Sequence, residues 1–244
     1  MSIKVVLFDL DGTLLPMDQE VFVKAYFGGL TKALEPYGYK KEEMIQGIRM
    51  GLDAMYKNDG SCLNEKRFWD AFAGIVGEQV REQLEIFDNY YRNEFQLVKN
   101  VCGFAPKAEE TVRKIKEMGY RVVLATNPLF PSIATESRMS WAGFTPEMFE
   151  LYTTYENSRF CKPNLKYYEE IMEKLGVKPE ECLMVGNDVG EDMVVEQLGM
   201  KTFLLTDDLI NRKNVDISKY AQGSFEELLS HVSDMKSKNL DGTY

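Results

Sequence analysis

The stretch Val5-Val6-Leu7-Phe8-Asp9-Leu10-Asp11-Gly12-Thr13 constrains the fold more than any other part of the chain. Its four leading apolar residues, two of them β-branched, read as a short buried strand. Side chains of an extended segment alternate between faces, so Asp9 and Asp11 are expected to point the same way at the strand's carboxyl end. Two carboxylates that close repel unless a cation lies between them or one keeps a proton. A buried strand is also a poor place for an unpaired charge. The pair therefore calls for a hard divalent metal, a nucleophile with an acid/base partner, or both. A calcium loop fits less well. Glu20 stands at the twelfth position from Asp9, but the sixth is Leu14 where glycine is required, and a strand precedes the string instead of a helix. An ordinary turn rich in Asp and Gly is the other reading of the string alone.

Composition narrows the chemistry. The only histidine is His231, near the carboxyl end, which argues against a Ser-His-Asp triad, a His-rich zinc site or an imidazole base. Reaction chemistry then falls to carboxylates, hydroxyls, lysines and oxygen-bound metal. The 39 acidic residues against 29 basic give a net charge of −10, which speaks against nucleic acid or an anionic membrane as the main partner. No apolar run has the length of a membrane span, and the early one is interrupted by Asp9 and Asp11. Cys62, Cys102, Cys161 and Cys182 form no C-x-x-C pair and read as reduced thiols, so a cytoplasmic location is expected.

Between Pro16 and about Asn100 the periodicity is helical. Val23, Phe27, Leu30 and Leu34 recur at helical spacing, as do Met44, Ile48, Leu52 and Met55, then Phe68, Phe72 and Val76, then Val80, Leu84, Phe87 and Tyr91. Turns are expected at Pro36-Tyr37-Gly38, Asn58-Asp59-Gly60-Ser61 and Gly77. About four helices in a small bundle follow, with the aromatic stripes as packing residues. After Val101-Cys102-Gly103 a βα rhythm returns. A helix is expected over Pro106–Met118, a strand over Tyr120–Thr126, a helix over Pro131–Trp141 and a short strand around Leu151–Thr153. Pro163 is expected to open a helix through Leu175, and Cys182–Gly186 to form a strand with a helix from Asp188 to Leu198. Lys201–Leu205 reads as a further strand, and Ser224–Met235 as a last helix that Ser224 caps. Apolar strands separated by helices imply an α/β fold, a doubly wound, Rossmann-like parallel sheet.

Ligands in such sheets bind beyond the carboxyl ends of the strands. Three of these ends carry Asp9 with Asp11, Thr126 with Asn127, and Asp188 with Asp192 four residues on. Together with Lys162-Pro163, and in this order, the set resembles the haloacid dehalogenase superfamily over roughly Val5 to Leu205. The helical insert directly after the first motif is similar to a C1-type cap. The resemblance implies a core of residues 1–15 and 101–244 with a cap of residues 16–100. The last motif usually reads Gly-Asp, whereas here Asn187 stands between Gly186 and Asp188.

The resemblance further implies a nucleophile at Asp9 and an acid/base at Asp11. It implies Mg²⁺ on the Asp9 carboxylate, the Asp11 carbonyl and Asp188, with Asp192 in support. Thr126 and Lys162 would hold phosphoryl oxygens, in a substrate site shared with Gly12, Thr13 and Asn127. The expected substrate is a small phosphorylated metabolite. Dehalogenases of the superfamily generally lack the second aspartate, so Asp11 favours phosphoryl transfer to water. A phosphosugar mutase, a 2-haloacid dehalogenase and a non-catalytic phosphate binder are the alternatives. Phosphonate hydrolysis would need a cap lysine, and nothing singles out Lys24, Lys32, Lys57 or Lys66. The resemblance places specificity largely in the cap and the loop entering it, here Leu14–Asp18 with the Asn58–Ser61 turn; Arg49, Arg67, Arg81 and Arg92 could meet a second anionic group, although solvated helix faces explain the arginines equally well.

Overall fold

In the computed structural model, which describes residues 2–240, β1 (Val5–Phe8) lies inside a parallel sheet. The strand order is β3 (Leu151–Tyr152), β2 (Arg121–Leu124), β1, β4 (Cys182–Gly186), β5 (Lys201–Leu205) and β6 (Ala221–Gly223). All four β1 residues are fully buried, because helices cover both faces. Val6 and Phe8, with Val122, Leu124 and Val185, pack towards Ala108, Val112 and Ile115 of α5 (Pro106–Glu117) and Leu228 and Val232 of α8 (Phe225–Leu240). Val5 and Leu7, with Val123 and Met184, pack towards Tyr167, Tyr168 and Ile171 of α7 (Leu165–Leu175). Strands buried on both sides need continuous apolar runs, which is why these were readable without alternation. The chain builds outward from β1 to β3, then returns to β4 on the other side. That reversal between β1 and β4 is where ligand crevices open in such sheets.

Four helices separate β1 from α5: α1 (Gln19–Leu34), α2 (Lys41–Tyr56), α3 (Asn64–Val76) and α4 (Leu84–Arg92). Asp18 caps α1, its Oδ1 accepting the Glu20 and Val21 amides at 2.9 and 3.1 Å. The two connections into this block run side by side, with Met17 bridging Cys102 and the Gly103 amide donating to the Pro16 carbonyl at 2.7 Å. The block does not pack in isolation. Tyr26 meets Phe130 edge-on at 5.2 Å and Phe95 lies 5.0 Å from Trp141 of α6 (Ser132–Trp141).

Some boundaries differ from expectation. The turn Glu78–Glu82 is a short 3₁₀ helix that interrupts the Val80–Tyr91 pattern. Pro163 does not open α7; Asn164 caps it by accepting the Lys166 amide at 3.1 Å, and the Lys162–Pro163 peptide is cis. No continuous α-helix leaves Asp188. Its Oδ1 takes the Gly190 and Glu191 amides at 2.7 and 3.1 Å, a side-chain turn that competes with helix formation, and a 3₁₀ helix follows over Met193–Leu198. β6 was not anticipated, being three half-buried residues at the sheet edge. Ser224 does cap α8: the Ser224 amide donates to Glu227 Oε2 at 2.8 Å and the Glu227 amide to Ser224 Oγ at 3.5 Å. Among the described residues no helix is long and apolar enough to cross a membrane.

Candidate active site

The Asp9 amide donates to the Val185 carbonyl at 2.9 Å, which holds Asp9 to the end of β4 just past β1. By the strand's parity it lies on the Val5 and Leu7 side, facing α7. Its Oδ1 meets Lys162 Nζ at 2.8 Å, and the same Nζ reaches Asp192 Oδ1 at 2.6 Å. Lys162 and Asp192 are each 1% exposed. The other Asp9 oxygen is 3.0 Å from Thr13 Oγ1, which is equally close to Asn187 Oδ1. One hydroxyl proton serves one of them at a time. The Asn187 amide is itself anchored by donating to the Asp208 carbonyl at 2.7 Å. Asn187, the residue that departs from the expected motif, therefore braces the first loop.

Asp11 has a different partner from Asp9. The strand ends at Phe8, and the chain folds back on itself, with Thr13 and Leu15 amides donating to the Leu10 carbonyl at 3.2 and 2.8 Å and the Gly12 amide to Leu15 at 2.8 Å. Strand alternation no longer applies there. Gly12 makes the turn possible with φ +82°, and a Cβ at that position would come 2.3 Å from Asn187 Nδ2. The Asp11 carboxylate is carried instead to the guanidinium of Arg138, a fully buried residue of α6. That guanidinium also sits 4.3 Å over the Phe130 ring. Asp11 Oδ1 is buried without a hydrogen-bond partner.

On the other side of the crevice, Asp188 Oδ2 meets Arg212 Nη1 at 2.6 Å. Asp192 Oδ2 accepts the Asp188 amide at 3.0 Å, so Asp192 braces both Lys162 and the Asp188 backbone. Asn127 Nδ2 donates to Glu191 at 3.1 Å and its Oδ1 accepts the Lys162 amide at 3.3 Å. Thr126 is buried, its carbonyl accepting the Thr153 and Tyr167 hydroxyls at 2.7 and 2.8 Å. The structure thus gathers Asp9, Thr13, Lys162 and Asp192 into one bonded cluster with Asn127 and Asp188 attached. Asp11 stands apart on Arg138.

Four contributors escaped the sequence reading: Arg138, Arg212, Glu191 and Tyr56, whose phenol lies beside Asn127 and Glu191. Each comes from a segment whose own periodicity looks ordinary, so no linear signal marked it.

Burial and charge oppose one another here. Burial pushes the Asp11 carboxyl above its ordinary range, which Arg138 only partly offsets. Burial likewise raises Asp192 against the pull of Lys162. For Lys162 burial works downward, but Asp192 and Asp9 outweigh it and hold the ammonium charged.

A protein-family model for haloacid dehalogenase-like hydrolases matches residues 3–194. The chain belongs to this family. It is a hydrolase by descent, and its six-stranded parallel sheet with flanking helices is the family's Rossmann-like fold. Pyrophosphatase PpaX of Bacillus cereus strain AH820 is 26% identical over 238 residues, covering 96% of this chain and 99% of the relative. Two solved structures share the fold. An HAD phosphatase from Thermococcus onnurineus superposes with a TM-score of 0.57 at 18% identity, over 94% of this chain and 98% of that one. The putative HAD-hydrolase YfnB from Bacillus subtilis, bound to magnesium, gives 0.55 at 16%, over 95% and 99%.

The residues here suit a hard divalent cation in their chemistry. Asp9 and Asp188 follow adjacent strands, the donors are all oxygen, and Asp11 Oδ1 is a buried acceptor without a partner. Among the described residues no three acidic, His or Cys side chains converge as a ready-made cluster. Lys162, Arg138 and Arg212 each hold one of the three carboxylates. The Arg212 side chain is 63% exposed, so releasing Asp188 costs little packing.

Proposed function

We propose that this hydrolase is a Mg²⁺-dependent phosphatase that cleaves a small phosphorylated metabolite through an aspartyl-phosphate on Asp9. The observation that carries the reading is a buried carboxylate, Asp9, held at 2.8 Å by a buried lysine and with a second acid two residues on. A non-catalytic binder has little use for such a pair. Asp9, the Asp11 carbonyl and Asp188 would hold Mg²⁺, which when bound neutralises the two acids and the phosphoryl charge. Asp192 supports the arrangement through Lys162 and the Asp188 amide.

An Asp9 oxygen attacks phosphorus, and the bond to the ester oxygen breaks. Asp11 gives that oxygen its proton, a role suited by a carboxyl that burial pushes upward. Once the alcohol leaves, Asp11 takes a proton from water, which attacks the aspartyl-phosphate and frees Asp9. Lys162, Thr126 and Asn127, with the Gly12-Thr13 turn, bind the phosphoryl oxygens. Residues 16–100 act as the cap and residues 1–15 with 101–244 as the core, in keeping with the paired connections at Met17 and Cys102. The four unpaired cysteines accord with a cytoplasmic location.

The test is phosphate release from p-nitrophenyl phosphate with Mg²⁺. Chelation by EDTA should abolish it reversibly, and Asp9→Asn should lower kcat by about a thousandfold or more. Metal-independent halide release from a 2-haloacid would replace this reading with the dehalogenase one.

A further inference from the structure

Three cations meet the acids of this site, and they differ in how easily each can leave. Lys162 is 1% exposed and bound to both Asp9 and Asp192, and Arg138 is fully buried on Asp11. Withdrawing either would strand buried charge. The Arg212 side chain is 63% exposed, whereas the Asp188 carboxylate that it meets is only 10% exposed. Arg212 can therefore turn into water at little cost to itself. Asp188 then needs another cation, since a carboxylate this buried is costly to leave alone.

The oxygens of Asp188 are already divided. Oδ1 accepts the Gly190 and Glu191 amides at 2.7 and 3.1 Å, and Oδ2 accepts Arg212 Nη1 at 2.6 Å. Oδ2 is thus the oxygen left to a metal ion. A divalent ion sharing it with a guanidinium would set like charges side by side, so one excludes the other. The second Arg212 nitrogen, Nη2, donates to Gln19 Oε1 at 3.0 Å. Gln19 is the first residue of α1, so this bond ties the loop after β5 to the helical block. The same loop is stitched to the Asp188 segment. The Ile210 amide donates to the Asn187 carbonyl and the Val189 amide to the Ile210 carbonyl, both at 2.9 Å. The guanidinium is held on Asp188 from two sides, by its own loop and by Gln19.

We infer that Arg212 is a built-in competitor of the divalent cation for Asp188, and that Gln19 is the positioning residue that keeps it in place. This rests on the Mg²⁺ part of the phosphatase reading and deepens it, because the pair then sets how tightly the ion binds. Ion and guanidinium weaken one another by the same factor. Ion binding also frees Gln19, so the first turn of α1 loses its tie to the loop after β5.

The experiment titrates the metal-free full chain with MgCl₂ by calorimetry, without substrate. Arg212→Ala, at an exposed position, should tighten Mg²⁺ binding about fivefold. Gln19→Ala should tighten it about twofold, the contribution of one hydrogen bond. With Arg212→Ala already in place, Gln19→Ala should change nothing. That comparison separates positioning from charge and from structure, since Gln19 is neutral and a general loosening of α1 would act in either background. The inference is overturned if Arg212→Ala binds Mg²⁺ no more tightly than the wild type. It is overturned equally if Gln19→Ala has no effect, or the same effect with and without Arg212. In each of these cases the wild type still binds Mg²⁺, and the phosphatase reading stands. If neither the wild type nor Arg212→Ala binds Mg²⁺, the metal in that reading falls and the inference with it. Binding by the Arg212→Ala variant alone supports the inference.

Discussion

Lys162 balances two buried carboxylates, Asp9 and Asp192. Removing one partner of a buried ionic group leaves charge without compensation, at a cost of about 3–5 kcal/mol. Lys162→Met should therefore lower stability by that amount in urea denaturation. The deficit should also depend on pH. Burial already pushes the Asp192 carboxyl upward and Lys162 pulls it down, so deleting the lysine raises it further. A carboxyl whose folded pKa exceeds its unfolded value of about 3.9 contributes stability only below that value. The contribution is lost as pH rises through the folded pKa. With Asp192 already pushed up to about 7 beside Lys162, the deficit of the variant should widen as pH rises above about 7, and a pH-independent deficit would contradict the pairing. Lys162 itself was readable from its Lys-Pro step and its place in the motif order. Its bond to Asp192 was not, because thirty residues separate them and only α7 and β4 bring them together.

The turn after β1 shows what the choice of element end decides. Gly12 and Gly119 both have positive φ, at +82° and +92°, but only at Gly12 would a Cβ strike another side chain. Gly119→Ala should carry the backbone cost alone, about 1 kcal/mol. Gly12→Ala should cost about 1–3 kcal/mol and lower kcat as Asn187 and Thr13 shift. Equal losses in the two variants, by denaturation and phosphate release, would mean that the Asn187 contact does not brace the loop. The strand was legible because its apolar run is continuous and ends at Asp9. That the alternation stops at Phe8, sending Asp11 to Arg138, depends on hydrogen bonds to the Leu10 carbonyl that no spacing rule specifies. Arg138 was missed for a similar reason. It is a charged residue in an unremarkable helix, and its burial comes from packing against Phe130 and Asp11.

Across the whole molecule, helical block and sheet share apolar surface. Phe22 and Tyr26 of α1 meet Phe130, and Phe95 meets Trp141, in the same cluster that holds Val6 and Phe8. Calorimetry should therefore show a single cooperative unfolding transition, with van't Hoff and calorimetric enthalpies that agree. Two separated transitions would show instead that residues 16–100 fold as an independent unit.

The sequence by itself determined the α/β class, the helical block, the family and the list of polar strand ends, because these depend on local periodicity and on residue types at fixed positions. Tertiary structure alone decided which acid meets which cation, and that Arg138 is fully buried where it meets Asp11. Those properties arise where segments distant in the chain share one volume, and burial there sets how strongly each charge is felt.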